Sequence, residues 1–329
     1  MPTLYPLKFR PIYKDKIWGG QRLKTLLNHD FSPLPNCGEA WLISGIEENN
    51  SIVSNGFLAD NELNELVEVY MDELMGESVF ERYGNEFPLL LKLLDANDWL
   101  SIQVHPNDEI AKARGLSGGK TEMWYIIHAE AGSELIAGFK KKISRFELQQ
   151  LIHQKRISEV LNYETVKAGD VFYMPAGRIH SLGPGIVLAE IQQSSDTTYR
   201  IYDWDRVDDN GQSRQLHLDE AIDAIDFNLY TDYKTKYTII PNRTTHLVQS
   251  PYFTTNLLYL NHPIEKDYGY IDSFVILLAV EGEVGISDET GNYSLRTGEA
   301  MLLPAITEKV IFTTATPSAS ILETFIDLD

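Results

Sequence analysis

The chain has 329 residues, room for two or three domains, and its 43% hydrophobic and 23% charged residues are those of a globular protein with a real core. A formal net charge of −20 repels the phosphates of nucleic acid and of anionic lipid, so neither is expected as a partner; a small phosphorylated metabolite would need a local cluster of Lys and Arg. With one cysteine, Cys37, no apolar run of membrane-spanning length and no signal-peptide core in MPTLYPLKFRPIYKDKIWGG, there is no internal disulfide framework and the cytoplasm is the expected compartment.

In chain order, the first helical pattern runs from Asp60 to Leu74, where Leu63, Leu66, Val67, Tyr70 and Leu74 keep the spacing of a buried stripe. LSIQVHPND (Leu100–Asp108) reads as a strand that puts Ser101, Gln103 and His105 on one face. The glycine-rich GLSGGKTE (Gly115–Glu122) lacks the spacing of a nucleotide P-loop, and a loop that brings Lys120 to a sugar phosphate suits it better. In the strand that follows, Glu122 and Trp124 share a face. A second helix is expected from Ser144, with Glu147 completing a capping box. YETVKAGDVFYMPAG, GIVLAEIQQ and TYRIYDW are strands; Glu190 falls on one face with Leu188 and Gln192, and Arg200 on another with Thr198 and Tyr202. The third helix is expected over Leu216–Ile225, and a boundary near Thr235 separates residues 1–235 from an almost helix-free stretch, 236–329.

Each part carries one copy of a glycine-to-proline turn. AGDVFYMPAGRIHSL (Ala168–Leu182) leads from Gly169 through Pro175 and Gly177 to His180, while TGEAMLLPAITEKVIF (Thr297–Phe312) leads from Gly298 through Pro304 to Lys309. The repeat suggests two related β-barrels. Gln103, His105, Glu122 and His180 together offer two imidazoles, a carboxylate and an amide, ligands suited to a divalent metal such as Zn, Fe or Mn. Any one of them alone is more often an ordinary hydrogen-bonded side chain. The second part carries no comparable set, and a protonated lysine repels cations, so that barrel is expected to bind no metal.

The spacing Gly169-x5-Pro175-x-Gly177-x2-His180 matches the second conserved motif of the cupin superfamily. LSIQVHP, GKTEMWY and EIQQSSDTTYRIYDWDR, with WGGQRL and CGEAWLIS nearer the start, resemble the signatures of type I mannose-6-phosphate isomerases, in their compact bacterial form. That resemblance implies a mainly β fold of two cupin jelly-roll barrels with a few edge helices. The catalytic one is expected in residues 1–235 with helical insertions, and the one without a metal in 236–329. It places one Zn²⁺ per chain on Gln103, His105, Glu122 and His180, and active-site roles on Ser101, Lys120, Glu190 and Arg200.

The reaction so implied interconverts mannose 6-phosphate and fructose 6-phosphate by moving a proton between C2 and C1 through an enediol. It needs a base near carbon and a stabilised carbonyl oxygen. Arg200 suits the enediolate; Lys120 or Glu190 could be the base; Ser101, Lys120 and Arg200 form the cationic island expected to take the phosphate. A monomer is expected. The alternatives are another metal-dependent cupin enzyme, such as a dioxygenase, and a sugar-phosphate-binding bicupin without catalysis.

Overall fold

The computed structural model describes residues 3–207 and 210–328. It is mainly β, and contacts divide it into two compact units. One comprises Tyr13–Ala40 and Lys92–Thr235; the other comprises the residues up to Ile12, Trp41–Leu91, and the chain from Lys236 onward. The stretch 1–235, drawn from the sequence as one domain, therefore contributes residues to both units.

In the first unit a five-stranded sheet has the order Tyr199–Tyr202, Ile102–Val104, His180–Leu182, Glu134–Phe139, Leu161–Thr165. Ile186–Gln193, Glu122–Ala129 and Val171–Met174 are successive neighbours in another sheet. Because side chains alternate, Trp124, Ile126, Phe172, Met174 and Leu188 gather on one face with Trp18 and Leu94 into an apolar core. A separate core joins Ile102, Val104, Tyr199 and Ile201 to the helix Leu218–Ala224 through Ala221 and Ile222. Gly177 lies in the left-handed region at φ 87°, and a Cβ there would meet the Ala224 carbonyl at 2.9 Å, so the turn before His180 requires glycine.

Three expected helices form, over Leu63–Met75, Arg145–His153 and Leu218–Ala224. Ser144 is the N-cap of the second: its hydroxyl accepts from the Glu147 N–H, and the Glu147 carboxylate accepts from Ser144 in return. Arg22–Leu27, Glu77–Tyr83 and Asp108–Ala113 are also helical, each too short to show a periodic stripe in sequence.

The second unit's barrel has a five-stranded sheet, Thr244–Gln249, Thr254–Leu260, Ala319–Phe325, Val275–Glu281, Ala300–Leu303, and a four-stranded one, Ile264–Asp267, Lys309–Thr314, Glu283–Asp288, Gly291–Arg296. Leu258, Leu277, Ile286, Phe312 and Ile321 fill it. Residues from the amino-terminal part are built into this unit: Leu7 pairs with Leu302, and the Ala305 N–H donates to the Leu74 carbonyl at 3.1 Å. Lys309 opens its strand but is exposed, and Val310 is the buried residue beside it.

Glu323 lies on the strand that places Ile321 in this core, and it is 1% exposed. Lys266 Nζ donates to its two oxygens at 2.5 and 2.6 Å, and the Tyr268 hydroxyl donates to it as well. A buried carboxylate that loses its cation is left uncompensated, so Lys266→Met should lower stability by about 3 kcal/mol. Adding Glu323→Leu should recover most of that. Denaturant unfolding of the two variants checks this, and an unchanged Lys266→Met would show that the pair is not a source of stability.

Candidate active site

Hydrogen bonding across the five-stranded sheet sets three of the expected residues in a row. Gln103 pairs with Arg200 on one side and with His180 on the other. The strand Glu122–Ala129 supplies Glu122, paired with Gln192, and Trp124, paired with Glu190. His105 follows the strand Ile102–Val104 directly. Ser101, His105, Lys120, Glu122, His180 and Glu190 are all buried, and Gln103 and Arg200 are half-buried.

Glu122 is the centre of the cluster. It is fully buried; one oxygen, Oε2, accepts from Lys120 Nζ, while Oε1 finds no hydrogen-bond partner among the described residues. His105 Nε2 stands 3.5 Å from Oε2, and His180 Nε2 stands 3.4 Å from Oε1. Both imidazoles are oriented from behind: His105 Nδ1 faces the Thr197 carbonyl at 2.9 Å and His180 Nδ1 faces that of Arg178 at 2.8 Å. With Nδ1 as donor, each Nε2 keeps its lone pair turned inward. Burial above all lowers the pKa of His105 well below its ordinary value, with Lys120 and His180 adding to it, and lowers that of His180 to about 4. Both are therefore neutral near neutral pH, the state in which imidazole binds metal.

These donors fit a divalent ion. His105, Glu122 and His180 can bring one ligand atom each to within 4.8 Å of one another, and the orphaned Oε1 is the kind of buried acceptor that an ion satisfies. The Gln103 amide stands 3.3 Å from His180 Nε2, where a half-turn exchanges its nitrogen and oxygen. Ser101 Oγ donates to Gln103 Oε1 at 3.3 Å. Lys120, expected on a loop that reaches for phosphate, instead lies inside the cluster, with Nζ 3.1 Å from His105 Nε2. Ammonium and metal ion would share the same donors.

A cavity of about 170 Å³ opens over this cluster, lined by Ser101, Gln103, Lys120, His180, Glu190 and Arg200 among others. Five further charged lining residues were not anticipated: Lys16, Glu39, Lys92, Asp196 and Arg214. Lys92 is 4% exposed, and its Nζ lies 3.6 Å from Glu190, 3.6 Å from Asp196 and 3.8 Å from Glu39. Burial would lower its pKa, but these carboxylates outweigh it and raise it. A signal existed: Lys92 interrupts LLLKLLDA, a strand whose every residue is buried. Arg214 sits in irregular chain and had none.

Glu190 accepts from the Trp124 indole N–H at 2.9 Å, and its other oxygen lies 3.8 Å from Lys120. Burial raises its pKa most, Glu122 adds to that, and Lys120 and Lys92 oppose it.

The fold and this donor set define a bicupin with one histidine–carboxylate cluster among the described residues. The chain belongs to the type I mannose-6-phosphate isomerase family. Residues 7–120 match the model of the phosphomannose isomerase type I catalytic domain, and residues 243–316 match that of the mannose-6-phosphate isomerase cupin domain. It is 39% identical to a mannose-6-phosphate isomerase of Streptococcus mutans, over 91% of this chain and 92% of that one. It is 37% identical to the mannose-6-phosphate isomerase ManA of Bacillus subtilis, over 92% and 94% respectively. The crystal structure of the mannose 6-phosphate isomerase from Bacillus subtilis superposes with a TM-score of 0.86 at 32% identity, covering 98% of this chain and 99% of that one. The oxygenase alternative loses its support.

Adding zinc to metal-stripped protein should raise its thermal stability; an ion at about one hundred times its dissociation constant stabilises the native state by about 2.7 kcal/mol. His180→Ala should abolish that rise and the retained metal. An equal rise in the variant would place the ion elsewhere.

Proposed function

We propose that the chain interconverts mannose 6-phosphate and fructose 6-phosphate, one Zn²⁺ per chain being held by Gln103, His105, Glu122 and His180. Family membership supports the reaction, and one observation carries the assignment of the site. Arg200, Gln103 and His180 stand side by side on neighbouring strands, and His180 Nε2 lies 3.4 Å from the orphaned carboxylate oxygen of Glu122. A bound divalent ion supplies Lewis acidity, polarising substrate oxygens as negative charge develops.

Arg200 supplies a fixed positive charge. Its Nη1 donates to the Gln215 carbonyl at 2.8 Å, while its buried Nε has no partner among the described residues, so a donor remains for substrate oxygen. Glu190 is the base: it is a buried carboxylate whose raised pKa moves it towards the working pH, and the Trp124 indole fixes its orientation. Lys120, a donor to Glu122, is an electrostatic partner and not the base in this reading. Ser101 orients Gln103 through its hydroxyl and lines the cavity where substrate binds.

Substrate is a small sugar phosphate. Nucleic acid is no partner on charge grounds, and no helix among the described residues is long and apolar enough to cross a membrane. A cytoplasmic monomer completes the proposal.

A coupled assay for fructose 6-phosphate from mannose 6-phosphate should show turnover that chelator removes and zinc restores; absence of turnover in zinc-loaded protein would overturn the assignment. Arg200→Ala should abolish turnover while the protein retains its metal, and normal turnover would remove Arg200 from the mechanism. Glu190→Gln should lower kcat by about a hundredfold or more, the contribution of a positioned base. Since protonated Glu190 cannot accept a proton, kcat should fall as pH drops through its raised pKa, above the ordinary glutamate value of about 4.3. Metal content measured across that fall should stay constant; loss of metal in parallel would assign the limb to the ligands.

A further inference from the structure

Two arginines pair with one carboxylate beside the cavity, and a third lies within electrostatic reach. Asp203 is 5% exposed; it accepts from Arg214 Nε at 2.7 Å and Nη2 at 2.5 Å, and from Arg206 Nη2 at 2.6 Å. Arg200 is near enough that, after burial, Arg214 is the next cause lowering its pKa, with Arg206 acting in the same sense and Asp203 against it. Among the described residues Asp203 is the carboxylate shared by Arg206 and Arg214, and Arg206 has a further, longer contact at 3.4 Å with the exposed Asp98. Among the described residues, positive charge is left over at this end of the site, in a chain whose net charge is −20.

Arg200 and Arg214 both line the cavity, but their settings differ. Arg200 is on a strand, directly beside Gln103, and so belongs with the reacting end of the substrate. Arg214 comes from irregular chain and has no strand neighbour in the ligand set. Its side chain is 33% exposed and held in place by Asp203, which fixes the guanidinium at the cavity while leaving it open to solvent. With Nε and Nη2 turned to Asp203, Arg214 keeps its remaining Nη hydrogens for another acceptor, and a guanidinium so fixed suits a phosphate monoester, which carries about −1.5 to −2 charges near neutral pH.

We infer that Arg214, positioned by Asp203, binds the phosphate of the substrate, leaving Arg200 to the carbonyl end. This rests on the reading that mannose 6-phosphate is the substrate; zinc-loaded wild type that failed to turn it over would sink that reading first, whatever Arg214 does.

The test is steady-state kinetics of wild type, Arg214→Gln and Arg214→Lys, with inorganic phosphate as a competing ligand. In Arg214→Gln, KM for mannose 6-phosphate and the inhibition constant of inorganic phosphate should rise together, by about tenfold or more, the worth of a lost charge-assisted pair. The fall in kcat should stay within about threefold, the signature of lost binding and not of lost transition-state contact. Arg214→Lys, which keeps the charge without the fork, should recover part of both. A raised KM with an unchanged phosphate constant, a fall in kcat alone, or no change would each overturn the assignment. Thermal unfolding of Arg214→Gln close to wild type shows that the chain is intact, since Arg206 still pairs Asp203. A misfolded Arg214→Gln leaves Arg214→Lys to decide: a phosphate constant identical to that of wild type would then count against the inference.

Discussion

A carboxylate cannot sit ionised inside a barrel without a cation, and Glu122 is fully buried. That one constraint organises the site. Lys120 answers one oxygen, and the two imidazoles that face Glu122 are themselves neutral through burial, so they can lend lone pairs but no charge. The other oxygen is left as an acceptor without a donor among the described residues. Gln103, His105, Glu122 and His180, which would otherwise be poor company in an apolar core, are thus the four residues proposed to hold a divalent ion.

That these four residues gather was legible in the sequence because they lie on strands or directly beside one, where alternation fixes the face and the turn glycine fixes the register. Gln103 and His105 are two apart, Glu122 precedes Trp124, and His180 follows Gly177, whose left-handed backbone no other residue adopts easily. Strand pairing then brings Arg200, Gln103 and His180 side by side, which no spacing along the chain could show. Arg214 was invisible for the opposite reason: irregular chain has no period. Its role depends on Asp203, eleven residues earlier. Lys92 fell between these cases, a charge inside an apolar run whose partners come from distant strands.

The surrounding charges divide into two kinds. Lys92, Glu39, Glu190 and Asp196 form a mixed group in which each charge is partly cancelled, with contacts of 3.6–3.8 Å from Lys92. Among the described residues, the arginine group around Asp203 is cationic on balance. An acidic protein keeps most anions away, so a site that takes a sugar phosphate must reverse the field locally. The reversal is cheap here because Asp203 already bears the cost of desolvating two guanidiniums: its own pKa, which burial would raise, is held below the usual carboxylate range by Arg214 and Arg206.

The carboxy-terminal barrel meets the same physical problem with a different answer. It too buries a glutamate among its core strands, yet Lys266 and Tyr268 satisfy both oxygens of Glu323 from within the chain. The exposed Lys309, which the aligned turns seemed to offer as the substitute for His180, has no part in that closure; the register turns Val310 inward in its place. What separates the two barrels is therefore whether the buried carboxylate is closed by its own chain. Glu323 is already fully paired, whereas Glu122 keeps one oxygen open beside two imidazoles, and only the latter arrangement has anything to offer an ion.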